Sequence, residues 1–310
     1  MSDLPFDAAL VADRPVAAAP HDHASRAAPL LIGPAVVLML VLLIGPVVAV
    51  AVMSLTDYQL GAPSFAFVGF ENYRELFADK VFWRSLVNTL AYVAFVVPAS
   101  LGLGLGGALL IEAGEGWKSF YRAVFFVPVM ATTIAMAISW EYMLHPQFGL
   151  VNLSLARLGL PTFNWLNDPA TVLPTLAVIG VWQLFGFNMV LFLAGLTAIP
   201  RSLHEAARLD GAGDAWSRFR LVTWPLLAPV TMFVVVVSAI RSFQVFDTVQ
   251  VLTKGGPSKA SEVLLYTMYS EGFEFFRSGP AAAIAVVFLG FVLVLTVVKA
   301  RLLDSEVRHA

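Results

Sequence analysis

The chain has 310 residues, 59% of them hydrophobic and only 13% charged, where soluble domains carry about 25% charged residues, so its composition is that of a membrane protein. A formal net charge of -2 implies neither a nucleic-acid footprint nor a polyacidic tail. The absence of cysteine excludes disulfides, thiolate metal sites and a cysteine nucleophile, and the one close histidine pair, His21 and His23, lies on a polar tail that makes a poor metal cage.

Residues 1–28 are rich in Ala, Pro and Asp, and a disordered cytoplasmic tail is expected there. Beyond it, six stretches contain no Asp, Glu, Lys or Arg: Leu30–Thr56, Ser85–Ile111, Ala123–Trp140, Ala170–Ile199, Leu221–Ile240 and Ser278–Val298. Each is long enough to cross a bilayer core, which takes about 20 apolar residues. The expected fold is an all-α integral membrane protein with six transmembrane helices. The first stretch is too long for a signal-peptide core, and its small-residue match Ala49-Val50-Ala51 falls too late for cleavage. It is read as an uncleaved span.

The first span and its connection occupy 29–84. The connection holds FVGFENYRELF (67–77), where Phe70, Tyr73, Leu76 and Phe77 recur at helical spacing, and a short amphipathic FWRSLVNTL (82–90). In the second span, Gly102-x-Gly104-x-x-Gly107 matches a dinucleotide fingerprint in letters only, because no strand precedes it. Gly102 and Gly106 form a GxxxG pair, which predicts a close helix approach. The loop EAGEGWKSFYR (112–122) imitates a phosphate loop, but Trp117 separates Gly116 from Lys118, so no nucleotide site is read in the chain.

The third span ends at the aromatic interface signature Trp140-Glu141-Tyr142. A 25-residue loop with a short helix over Leu150–Leu158 follows, and its Asn152-Leu153-Ser154 glycosylation pattern is assigned no role. Polar groups inside spans are costly and face a protein interior or a cavity. Span four carries Trp182, Gln183, Phe187 and Asn188. Span five places Ser238, Arg241, Ser242 and Val245 on one face, with Gln244 beside them. These residues can line a solute path, or they can bond across helices and never meet solute. Arg241 and Asp247 are six apart, a poor spacing for a one-face pair. Thr253-Lys254-Gly255-Gly256-Pro257 is a turn signal.

With the amino terminus cytoplasmic, 11 of the 19 Lys and Arg residues fall inside, so the positive-inside rule puts both termini and the 200–224 loop in the cytoplasm. That loop interrupts the apolar pattern with EAARLDGAGDAWSRFRLVTWPLLAP (205–229). Pro200 stops span four, and Ser202-Leu203-His204-Glu205 fits a capping box in which Ser202 caps a short surface helix. Asp210-Gly211 ends that helix, Asp214 caps a second turn, and Trp216 and Phe219 form an aromatic face before a kinked join to span five. These features leave partner docking and mere connection equally open.

EAA-x-x-DGA, followed by Phe219, Val222, Pro225 and Pro229, resembles the EAA loop of ABC importer permeases; Trp224 stands where that family usually has Leu before the first proline. SLTDY, VGFENYRELF, FWRSLVNTL, HPQFGLVN, FLAGLTAIP, FDTVQVLTKGGP and EGFEFF resemble the carbohydrate-uptake branch, near the first permease of maltose-type and glycerol-3-phosphate-type systems. The resemblance covers residues 30–300. It implies a type I importer transmembrane domain, with a core over 85–300 and a cytoplasmic tail over 301–310. It implies a permease without its own ATP site or cofactor, ATP-Mg being bound by two cytoplasmic ABC ATPase subunits. The other implied partners are a second homologous permease in a heterodimer, a periplasmic solute-binding protein and membrane lipid. Glu205, Ala206, Ala207, Asp210, Gly211 and Ala212 are the implied ATPase contact. The solute class is a sugar or related polyol or glycerol phosphate. The alternative is an ATP-independent secondary transporter or channel, though no span carries a charged proton relay. A membrane-embedded enzyme is disfavoured by the lack of HExxH, GxSxG and paired intramembrane carboxylates.

Overall fold

The structure is a computed structural model describing residues 32–114 and 116–307, with the backbone alone at 295 and from 298 onward. The expected disordered tail with His21 and His23, and the last three residues of the 301–310 tail, lie outside these residues. Among the described residues the chain is helical, with short π-helical turns, no strand and one isolated bridge between Thr56 and Phe67. It divides into two units, one ending at Val50 and one beginning at Ala51.

The boundary between the units falls within the first helix, α1 (Ile32–Met53), which is long and apolar enough to span. Early in the second unit, at SLTDY, the chain leaves that helix. Ser54 and Thr56 hydroxyls donate to the Ala51 and Met53 carbonyls at 2.7 and 2.8 Å. The buried Asn72 amide donates to the Ser54 and Thr56 carbonyls, each at 2.8 Å. Carbonyls that a helix end leaves free are thereby satisfied. Asn72 belongs to α2 (Glu71–Ala78), the helix expected within FVGFENYRELF.

The expected short amphipathic segment 82–90 is not a separate element. It is the first part of a 34-residue helix, α3 (Lys80–Ala113), capped where Asp79 accepts from the Val81 N–H at 2.8 Å. Phe82 and Leu86 face inward with Leu76, Leu264, Ala283 and Ile284.

The third expected span is broken. It resolves into α4 (Lys118–Met130) and α5 (Thr133–Met143), bent by 97°. Pro128 removes one ladder hydrogen bond inside α4, and the β-branched run Thr132-Thr133-Ile134 is a weak helix former, so a straight helix is poorly supported there. Counting charge-free residues cannot detect such a break.

After α6 (Leu150–Arg157) comes α7 (Val172–Ala198), the most buried of the spans and apolar on all sides, as a helix enclosed by others must be. It packs along α3 on one side and against α10 (Trp224–Phe243) on another, around Ala108, Met189, Phe192, Leu227 and Val234. The close approach of α3 to α7 is made by Gly104 and Gly107, not by the predicted GxxxG pair. A Cβ on Gly104 would meet Asn188 Cβ at 2.8 Å and the Met189 nitrogen at 3.1 Å, whereas one on Gly102 or Gly106 would touch nothing within 4 Å. Gly102 and Gly106 instead line an apolar groove with Leu103, Leu110 and Tyr121.

Past α10 the chain makes α11 (Asp247–Leu252), α12 (Leu264–Tyr269) and α13 (Ser278–Val307). The apolar part of α13 with described side chains, Ser278–Val294, is shorter than a full span; four described stretches meet span length, five with the bent pair.

Candidate functional site

Two places gather the residues singled out from the sequence. The first is the polar loop between spans four and five. Its helix, α8 (Arg201–Leu209), begins one residue before the position expected of its cap. Pro200, with extended backbone (φ -61°, ψ 133°), is the N-cap, no side chain caps the helix, and Ser202 lies inside the first turn. The capping box therefore does not form, because a hydroxyl inside the helix cannot reach back over the first N–H groups.

The far end behaves as expected. Gly211 has φ 99°, its N–H reaches the Arg208 carbonyl at 3.3 Å, and the Ala212 N–H reaches the Ala207 carbonyl at 2.8 Å. This Schellman arrangement requires the left-handed backbone that glycine adopts without strain. Ala212 is buried in the closing turn.

Asp214 caps α9 (Ala215–Arg218), accepting from the Ser217 N–H at 2.8 Å and its hydroxyl at 2.6 Å. The Ser217 hydroxyl bond, then the backbone bond, holds this carboxyl below the usual carboxylate range. Arg218 donates to the Gly213 carbonyl at 2.7 Å and fastens the turn. Trp216 and Phe219 stack with ring centres 5.6 Å apart. At the join to span five, a π-helical turn, Phe219–Thr223, carries the chain directly into α10.

On α8, Ser202, Glu205, Ala206 and Leu209 share one exposed face at i, i+3, i+4, i+7 spacing. Leu209 is 90% exposed, an apolar side chain held out in solvent, and sequence reasoning passed over it. Asp210 and Gly211 are exposed beside it, and Ala207 is half-buried on the other side. Behind α8 a groove of about 690 Å³ is lined by Glu112, Arg201, His204, Glu205, Arg208 and Arg218.

The second place is a polar cavity of about 200 Å³ on α7. Four of the eight candidate solute-lining residues meet there: Gln183 from α7, and Arg241, Ser242 and Gln244 from the end of α10. Tyr92, Asp247 and Thr248 join them, as do Ala131 and Thr133 from the α4–α5 break. Non-helical backbone at membrane depth persists only where protein buries it or where it lines a cavity, and here it lines one. Ala131 and Thr133 were not found from sequence, because the break that brings them to the wall is a tertiary feature.

The other four candidates lie elsewhere. Asn188, fully buried, donates to Ser100 Oγ at 3.1 Å and accepts from Ser238 Oγ at 2.9 Å, which ties α7 to α3 and α10. Phe187 presents its ring face to the Arg241 guanidinium, 4.2 Å away. Trp182 packs edge-to-face on Trp140, with centres 5.4 Å apart, outside the cavity wall.

This helical membrane fold, with an exposed capped helix between spans, has known counterparts. Residues 101–309 match the family described as binding-protein-dependent transport system inner membrane component, and the chain belongs to that family. It is 35% identical over 270 residues to the trehalose/maltose transport system permease protein MalF of Thermococcus litoralis, covering 86% of this chain and 89% of that one. It is 33% identical over 283 residues to the sn-glycerol-3-phosphate transport system permease protein UgpA of Escherichia coli, covering 90% and 95%. A permease chain in the crystal structure of a bacterial alginate ABC transporter, in complex with an alginate pentasaccharide-bound periplasmic protein, superposes with a TM-score of 0.78 at 22% identity, covering 90% of this chain and 94% of that one. The fold is thus that of a type I importer permease domain, and the protein is a transport permease of the inner membrane.

Proposed function

We propose that this chain is the permease subunit of an ATP-driven importer. It passes a sugar or a related polyol or glycerol-phosphate solute inward after delivery by a periplasmic binding protein. It pairs with a second homologous permease and is driven by two cytoplasmic ATPase subunits that bind ATP-Mg, while the chain itself holds no ATP site and no cofactor. Both termini and the 200–224 loop face the cytoplasm. The named relatives are permeases of trehalose/maltose and sn-glycerol-3-phosphate transport systems, which supports the solute class.

The observation that carries the ATPase contact is the exposed stripe of Glu205, Ala206 and Leu209, ending at the closed turn of Asp210, Gly211 and Ala212. An amphipathic surface helix fixed at its C-terminal end and joined continuously to a span can transmit a push. The small Ala206 lets a partner approach closely, and Glu205 supplies a charge for a basic groove. Gln183, Arg241, Ser242 and Gln244 form the solute path on this reading.

The test is Glu205→Lys and Gly211→Pro in the assembled importer. Uptake is expected to collapse while the permease still reaches the membrane, with ATPase co-purification reduced. Normal uptake and normal co-purification in both variants would sink the reading.

A further inference from the structure

Three groups in the cavity wall are donors without acceptors. The first-turn N–H groups of α5, an 11-residue helix, have no partner within the helix and no side-chain cap. Arg241 makes no ion pair among the described residues; its neighbour is the Phe187 ring. Ser242 is 2% exposed, yet its hydroxyl has no hydrogen-bond partner. A helix N-terminus favours negative charge, and a guanidinium fork matches an oxyanion in shape as well as charge. Broken membrane helices place such N-termini against anionic groups of transported solutes.

We propose that the cavity takes solutes bearing an anionic group, a carboxylate, sulfonate or phosphate on a polyhydroxylated body, with Arg241, Ser242 and the N-terminus of α5 holding the oxyanion. This rests on reading the cavity as the solute path. The carboxylate in the same wall, Asp247, stands in the first turn of α11, where the helix dipole offsets its charge. As an acceptor it suits the hydroxyls of the solute body, as do the side-chain carbonyls of Gln183 and Gln244. A neutral sugar would leave the guanidinium fork without an oxyanion to match it.

The test uses the complete importer (this permease, its partner permease, the ATPases and the binding protein) in liposomes. ATP-driven uptake is compared for glucuronate against glucose and for glycerol 3-phosphate against glycerol. The wild type should prefer the anionic member of at least one pair. Arg241→Gln should lower subsaturating uptake of that anion by about tenfold or more, Arg241→Lys by less, and uptake of its neutral counterpart by a clearly smaller factor. Preference for the neutral members, an equal loss for all solutes in Arg241→Gln, or no loss of anion uptake overturns the proposal and leaves the transport reading standing. Stimulation of ATP hydrolysis by the binding protein without uptake of any probe likewise removes the anion assignment alone. Absence of both uptake and stimulation removes the transport reading and the proposal together.

Discussion

Replacing Asn188 with leucine separates helix cohesion from solute contact. The side chain is fully buried and makes two cross-helix hydrogen bonds, one to Ser100 and one from Ser238. Leucine keeps the branched shape but is larger, and it removes both. Ser100 keeps a bond to the Val97 carbonyl at 3.1 Å, so the larger loss falls on the buried Ser238 hydroxyl. Hydrogen bonds between membrane helices average about 0.6 kcal/mol and reach about 1.7, so two of them give roughly 1–3 kcal/mol. Unfolding of the purified permease complex in a detergent titration should register that loss, while the KM for uptake in liposomes stays within about twofold, as expected when no transition-state or ground-state contact is removed. An unchanged unfolding midpoint with a KM raised tenfold or more would refute the reasoning and return Asn188 to the solute path.

Gly104→Ala should destabilise by about 1–3 kcal/mol, since its Cβ meets Asn188 and Met189 atoms on a neighbouring helix, whereas Gly102→Ala should be neutral or stabilising by up to about 1 kcal/mol; parallel melting curves decide between them. Glu262 is wholly buried, 3.1 Å from Lys259 Nζ and accepting from the Thr267 hydroxyl at 3.1 Å, beside a turn where Lys254, Ser258 and Lys259 all have positive φ. Because Lys259 is half exposed, Glu262→Ala should cost about 2 kcal/mol, not the full penalty of a buried pair, and Glu262→Gln less, by the same unfolding titration. Asp214 has a folded pKa below its unfolded value, so its cap stabilises the loop above the usual carboxylate range and the effect fades as pH falls through the lowered value. Proteolysis of the 210–220 loop should therefore accelerate below about pH 4 in the wild type, and Asp214→Asn should remove that acid-side change.

The helical membrane class was legible because a charge-free stretch of span length has nowhere stable to sit except a bilayer or a large core, and six of them in 310 residues exceed what one core can hold. Helix ends were legible where one residue type dictates the backbone. Gly211 and Asp214 are such cases: a left-handed stop and a side-chain cap are local, and both stand where their letters put them. Ser202-x-x-Glu205 is equally local in letters and failed, because Pro200 had already set the helix start two residues earlier. Gly102-x-x-x-Gly106 failed for a different reason. Which side of a helix meets its neighbour is settled by the partner surface, and α3 turns Gly104 and Gly107 toward α7 instead.

The cavity was the least legible part, and the cause lies in the α4–α5 break. Ala123–Trp140 contains no charge and a single proline, so its letters read as one span; only the packed fold shows the chain turning by 97° there. That turn frees the N–H groups at Thr133 and the adjoining residues and brings them to the wall that Arg241 and Ser242 share. A cation at this depth is tolerable because the break, the cavity and Phe187 all lie beside it. Without the break, Arg241 would face a closed apolar helix instead of a polar cavity. The intramembrane arginine and the interrupted helix therefore account for each other, although 108 positions separate Thr133 from Arg241 in the sequence.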